Sequence, residues 1–294
     1  MRILVTGATG SHGSTGLSLA KHLLKESVIV RAMVHSIDER SKALETMGCE
    51  IVQADFHNLA SLRIALADVD SSFFSYPIRD GVVNASANFS LACKEVGMLQ
   101  LVHNTMIVNM DLSPSPFARQ NFLVEQIFNW AGLSTTNLRS GFFYQNLLRY
   151  SKDEILNQHT ISWPMGSGET KLAWINAEDV ALVASKLLLK KESKSQTLFL
   201  TGPNACTFNE IASTCSEILK KEVRYQDENE DIFISKVSKI ENNNPTIISH
   251  LKGLSGAFRS GISFGKTTET LKNLTGTTGM SFSEFLTRHL ILKG

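Results

Sequence analysis

Residues 5–16 read "VTGATGSHGSTG", with glycines at Gly7, Gly10, Gly13 and Gly16 set among small hydroxyl residues. The stretch follows "RILVT" (2–6), an apolar run of strand length. It leads into "GSTGLSLAKHLLKE" (13–26), where Leu17, Ala20, Leu23 and Leu24 share one helical face. A glycine-rich turn between a strand and a helix is the context in which backbone can cradle phosphate. Gly7 permits the tight turn, Gly10 lets a pyrophosphate approach the main chain, and Gly13 lets the helix pack closely on the strand. The start of the helix adds unpaired N–H groups and a partial positive charge. On this reading Gly7, Thr9, Gly10, Ser11, His12 and Gly13 form the phosphate-binding turn of a dinucleotide site.

Outward from the turn, strand-like runs alternate with helix-period segments. The strands are "VIVRAMVH" (28–35), "EIVQAD" (50–55), "SSFFSY" (71–76), "LQLVHNT" (99–105) and "STTNLR" (134–139), with helices expected near 38–47, 58–67, 81–97 and 116–131. Such alternation predicts right-handed crossovers and an α/β fold, a doubly wound parallel sheet covered on both faces. Residues 1–140 are then the dinucleotide-binding domain. Residues 141–294 form a smaller C-terminal α/β lobe, interleaved with the first and sharing its core. There the texture changes: "SGFFYQNLL" (140–148) is aromatic, and "SWPMGSGETKLAWINAEDVALVASKLLL" (162–189) runs from a loop into an amphipathic helix. "QTLFLTGP" (196–203) supplies a late strand. Thr207 and Glu210 have capping-box spacing, and the remainder from about 225 reads as helical and polar.

Composition narrows the function classes. A net charge of +1 over 294 residues gives no general attraction to nucleic acid or an anionic membrane surface. No apolar run approaches the roughly 20 residues that span a bilayer. Cys49, Cys93, Cys206 and Cys215 are scattered without paired spacing, which suits a reducing compartment. "MRILVTG" enters a strand with no signal-peptide layout, so a cytoplasmic location is expected. The eight histidines include no H-E-x-x-H, so no metal site is expected, and no G-x-S-x-G nucleophile elbow is present.

The nucleotide can be narrowed further. An NAD-type site ends its second strand with a carboxylate that accepts from the ribose hydroxyls. Here that strand ends "VRAMVHS" (30–36), with His35 and Ser36 in place of an acid and Arg40 or Lys42 nearby. NADP(H) is therefore favoured. NAD(H) stays possible because Asp38 and Glu39 follow closely.

The spacing of "TGATGSHG" (6–13) resembles that of the short-chain dehydrogenase/reductase superfamily in its extended and atypical branches. Together with "VRAMVH" (30–35), "GCEIVQADFHNLASLRIALADVDSSFF" (48–74) and "GLSTTNLRSGFFYQNLL" (132–148), it resembles the NmrA-like family over roughly the first 220 residues. That resemblance implies that Asp55 bonds the adenine amino group and that Phe56 packs on the ring. Ser75, Tyr76 and Pro77 would run beneath the cofactor ribose, and Thr105 would end strand five with a catalytic or positioning hydroxyl. Phe142, Tyr144 and Asn146 would line the substrate pocket, with Trp163 and Trp174 closing it.

Ordinary short-chain dehydrogenases carry Tyr-x-x-x-Lys after strand five, and the matching "FARQN" has Phe117 and Asn121 instead. Asn121 shares a helical stripe with Val124 and Phe128, so it should face inward. It can bond a ribose hydroxyl but cannot lower a neighbouring pKa by charge. Tyr76 and His103 are the fallback proton donors, and Thr105, Tyr76 and Asn121 the candidate catalytic residues. The resemblance thus implies an oxidoreductase transferring hydride from NADPH to a small aromatic or quinone-like acceptor, which can take its proton from water. The alternative is a non-catalytic NADP(H)-binding redox sensor that signals to a protein partner.

Overall fold

A computed structural model describes residues 1–10, 15–190 and 194–291. The first half of the chain alternates β1 (Arg2–Thr6), α1 (Thr15–Leu23), β2 (Ile29–Val34), α2 (Glu39–Thr46), β3 (Glu50–Gln53), α3 (Leu59–Leu66), β4 (Ser71–Phe74), α4 (Val82–Val96), β5 (Gln100–Met106), α5 (Pro116–Trp130) and β6 (Ser134–Ser140). Then come β7 (Phe142–Phe143), α6 (Tyr144–Asn157), β8 (Thr160–Trp163), β9 (Leu172–Ile175), α7 (Ala177–Leu188), β10 (Gln196–Leu200), β11 (Ala205–Cys206), α8 (Phe208–Leu219) and β12 (Arg224–Asp227). The helices α9 (Glu230–Ile240), α10 (Pro245–Arg259), α11 (Thr270–Thr275) and α12 (Phe282–Leu286) follow, with a π-helical turn over Thr287–Ile291 after them.

Seven strands form one sheet in the order β10-β6-β5-β4-β1-β2-β3, with every neighbouring pair parallel. Successive side chains of β1 serve opposite faces, as the period of two requires. Ile3 and Val5 join Leu19 and Leu23 of α1 and Val180, Val183 and Leu187 of α7. Leu4 joins Leu66 of α3, Phe89 of α4 and Phe128 of α5 on the other face. This is the expected doubly wound sheet. Its order reverses between β1 and β4, and at such a switch point the strand ends part to leave a crevice.

The chain leaves this sheet after β6 and returns with α7 and β10, which pairs with β6 in parallel. Its other strands form two small sheets, β11-β9-β7 and β12-β8. Around them Tyr144, Trp174, Phe208, Phe258, Phe282 and Phe285 build a second core. Trp163 and Trp174, expected in a loop, lie on β8 and β9. Pro164, Gly166 and Gly168 lie between them and give the stretch the signature of a loop, with a short strand on either side.

Local chemistry explains the helix starts. Thr207 Oγ1 accepts from Glu210 N at 3.1 Å while Glu210 Oε2 accepts from Thr207 N at 2.8 Å, the capping box read from the sequence. Asn58 caps α3 by accepting from Ser61 N. A bidentate pair between half-buried Arg139 and buried Glu125, at 2.6 and 3.0 Å, ties α5 to β6. Among the described residues no helix is long and apolar enough to cross a membrane, and no group of three His, Cys, Asp or Glu could hold a metal ion.

Asp179, in the first turn of α7, accepts from Met280 N at 3.0 Å yet is only 8% exposed. Burial pushes its carboxyl up to about 6, against the smaller opposing effect of the Met280 bond. The folded protein therefore holds this proton more tightly than the unfolded chain. Stability should fall as pH rises from about 4 to about 6 and stay level above that. Asp179→Asn, which keeps an acceptor for Met280 N, should raise stability above pH 7 by about 1–3 kcal/mol and leave it unchanged near pH 4. Thermal melts at the two pH values test this; equal shifts at both would contradict it.

Candidate functional site

One cleft of about 550 Å³ runs across the carboxyl ends of the sheet strands and on into the C-terminal lobe. Its first segment is the glycine turn. Gly7 has φ +75°, in the left-handed region, and Gly10 N donates to Gly7 O at 3.2 Å to close the turn. A Cβ on Gly10 would stand 3.1 Å from Gly7 O, and one on Gly16 would stand 2.7 Å from Ala8 N and from Gly7 C. Bare backbone is thus what lets α1 press against the turn, and its first residues, Thr15 and Gly16, open on the cleft. That exposed, side-chain-free backbone fits a pyrophosphate. Gly7, Thr9 and Gly10 line the cleft; Ser11, His12 and Gly13 lie outside the described residues.

β1 and β4 are locked beside each other at this point. Ser75 N donates to Thr6 Oγ1 at 2.8 Å, Thr6 Oγ1 donates to Ser75 O at 3.2 Å, and Asn104 Nδ2 reaches Ser75 Oγ at 3.3 Å. Ser75, Tyr76 and Pro77 consequently face the cleft, as do His35, Asp55 and Phe56 from the ends of β2 and β3. Ser36, also expected here, is exposed and does not line it: only His35, the first residue past β2, reaches the cleft before the chain turns into α2. One Asp55 oxygen accepts from His57 N at 2.8 Å, and the other has no partner among the described residues. Phe56 is wedged edge-on against Phe74 and Tyr76, with centroids at 5.3 and 5.4 Å.

Charge at this end comes from Arg40, which the sequence offered only as a helper. Its guanidinium donates to Thr9 O at 3.1 Å and pairs with Asp38 at 2.5 Å. The Arg40 side chain holds the Asp38 carboxyl below the usual carboxylate range. Asp38 also caps α2 through Arg40 N and Ser41 N, so the acid that left NAD(H) open is already engaged. Arg31 points away, bonding Glu50, Ala65 O and Ala67 O.

At the middle of the cleft stand Thr105, Phe117 and Asn121. Thr105 Oγ1 accepts from Asn109 Nδ2, which also reaches Glu125, leaving the Thr105 hydroxyl proton for the cleft. Asn121 faces inward as expected, but its Nδ2 donates to Phe117 O at 3.1 Å, so its oxygen is what it offers. Both fallback proton donors are engaged, and Tyr76, which lines the cleft, also stands with its hydroxyl 3.2 Å from His57 Nε2. The Tyr76 hydroxyl donates to Asp80 O at 2.8 Å. His103 is buried away from the cleft against Phe74 and Phe128, bonded to Asn137, and burial lowers it to about 4.

The far end is aromatic. Phe142 and Asn146 line it with Trp163, Trp174, Phe208 and Phe258. Tyr144 does not: it is fully buried between Trp174, Phe282 and Phe285, because its position at the start of α6 faces the lobe's own core. Sequence reasoning missed the wall formed by α10, where Ile247, His250, Leu251, Leu254 and Phe258 reach the cleft. Their three- and four-residue spacing carried the signal, inside a region that reads as polar overall.

The model of the NmrA-like family matches residues 1–286. The chain is 31% identical over 223 residues to the NAD(P)H azoreductase of Xenophilus azovorans, covering 76% of each chain. It is 25% identical over 242 residues to quinone oxidoreductase 2 of Escherichia coli (strain K12), covering 81% of this chain and 82% of the other. Among solved structures, triphenylmethane reductase from Citrobacter sp. superposes with a TM-score of 0.85 at 23% identity, covering 99% of each chain. Sequence, sheet order and glycine turn agree: the chain belongs to the NmrA-like family.

Proposed function

We propose that the protein binds a nicotinamide dinucleotide across the ends of β1 and β4, NADP(H) in preference to NAD(H), and passes hydride from it to a small aromatic or quinone-like acceptor. The observation that carries this reading is the continuity of the cleft, which begins at the bare backbone of the glycine turn and ends among Phe142, Trp163 and Trp174. A sensor needs the first part only. The relatives whose names specify azo and quinone reduction support the same reading.

Glycine-turn N–H groups would hold the pyrophosphate, Arg40 and His35 the 2′-phosphate, and the free Asp55 oxygen the adenine amino group. A planar guanidinium suits phosphate, and Asp38, the acid just past β2, is already paired with Arg40. The bound nicotinamide supplies the hydride. The protein orients: the Asn121 oxygen accepts from a ribose hydroxyl, the Thr105 hydroxyl donates into the cleft, and the aromatic wall excludes water and stacks a flat ring. With Phe117 and Asn121 replacing an acid and its cation, acceptors that take a proton from water suit the site best.

Arg40→Ala should weaken NADPH by about tenfold or more, the worth of a hydrogen bond to a charged group, and leave NADH nearly unchanged. Fluorescence titration reads both, and equal losses would overturn the assigned preference. Gly16→Ala should weaken both nucleotides together, since its methyl would push α1 off the turn. On the wild type, a panel of quinones and azo dyes should drive oxidation of NADPH. Tight binding without turnover on any of them would favour the sensor.

A further inference from the structure

The acceptor end of the cleft is mostly apolar, with Asn146 and Tyr150 of α6 and His250 and Ser255 of α10 as its polar residues. The His250 side chain is 7% exposed, lines the cleft, and sits with Nδ1 2.5 Å from Ser115 Oγ. Ser115 caps α5, its Oγ accepting from Ala118 N at 3.1 Å. The hydroxyl proton of Ser115 has no acceptor other than His250 Nδ1 among the described residues. Nδ1 is therefore an acceptor, and the ring's own proton resides on Nε2. Nε2 has no hydrogen-bond partner among the described residues. The imidazole packs edge-on against Phe117 with centroids 6.1 Å apart, and Leu251 and Leu254 line the same wall of the cleft.

The imidazole is held in place from both sides. Gly253, one turn further along α10, meets the Pro114 carbonyl so closely that no Cβ could fit, which brings α10 down onto the start of α5. At the other end of the helix, Asn244 Nδ2 donates to Ile78 O at 2.9 Å and Thr246 Oγ1 to Asp80 Oδ1 at 3.0 Å, binding α10 to the loop after β4. A fixed donor in dry surroundings is what developing negative charge needs, since no reorganisation is required when the charge appears.

We propose that His250 is the acceptor-recognition residue: its Nε2–H donates a hydrogen bond to the carbonyl oxygen or azo nitrogen on which charge builds as hydride arrives. The inference rests on the reductase reading above. As the C4–H bond of the reduced nicotinamide breaks, its hydrogen and electron pair form a new bond to the acceptor, which then carries one negative charge. His250 shares its proton without losing it, and water supplies the proton that completes reduction. Burial keeps the imidazole down at about 4, so it is neutral near pH 7 and acts as a donor, not as an acid.

Two variants test this, His250→Leu and His250→Gln, the second retaining an N–H donor. Each is first checked for an unchanged melting profile and unchanged NADPH titration. In protein loaded with NADP+, 4-nitrophenolate at mildly alkaline pH presents a ring-borne oxyanion, and nitrobenzene presents the same ring without one. His250→Leu should weaken 4-nitrophenolate about tenfold or more, abolish the shift of its absorption band on binding, and change nitrobenzene little. Quinone reduction by that variant should fall about 10²-fold in kcat, with His250→Gln recovering part of both. Equal loss of the two ligands, or turnover unchanged in His250→Leu, would overturn the proposal. A His250-dependent spectral shift in a wild type that reduces no acceptor would retain the donor and reject the reductase.

Discussion

The structure depends on a contact that leaves no room for a methyl group. Gly16 on α1 lies so close to the backbone of Gly7 and Ala8 that any side chain there would push the helix away. That contact sets how closely the start of α1 approaches the turn that follows β1. The paired bonds between Thr6 and Ser75 hold the ends of β1 and β4 together at the switch point. The glycine turn and the groups at the ends of β2, β3 and β4 assigned to the nucleotide, His35, Asp55 and Ser75 among them, stand beside these two constraints.

Much of this was legible because it repeats over short distances. Strand and helix periods named each strand of the seven-stranded sheet in its order along the chain, and the capping-box spacing of Thr207 and Glu210 marked a helix start directly. The inward orientation of Asn121 followed from its stripe with Val124 and Phe128. What escaped depends on tertiary placement. Tyr144 and Asn146 are two residues apart on one helix, and only packing decides that Asn146 meets the cleft while Tyr144 enters the lobe's core. Arg40 comes into play because Asp38 caps α2 and orients its guanidinium toward Thr9. His250 lies far along the chain from Ser115, and nothing in either sequence neighbourhood names the other.

The polar groups around the reacting centre share a pattern. The Tyr76 hydroxyl is directed to Asp80, His103 is sealed among aromatic rings, and Thr105 is held by Asn109 beside the Glu125–Arg139 pair. The site is rich in fixed dipoles and poor in titratable acids. Chemistry there must come from orientation and from donors that keep their protons, and this selects acceptors able to draw a proton from water.

The central claim is that NADPH bound across the ends of β1 and β4 passes its hydride directly to an acceptor held in the same cleft, which exposes one face of the ring to it. Single-turnover reduction of a quinone with NADPH deuterated at C4, once in each of its two stereochemical forms, tests it most directly. The account predicts a primary isotope effect with one form, deuterium lost from that form only, and retention in the other. Oxidation that removes deuterium from both forms alike, or no acceptor-dependent oxidation of either, would contradict it.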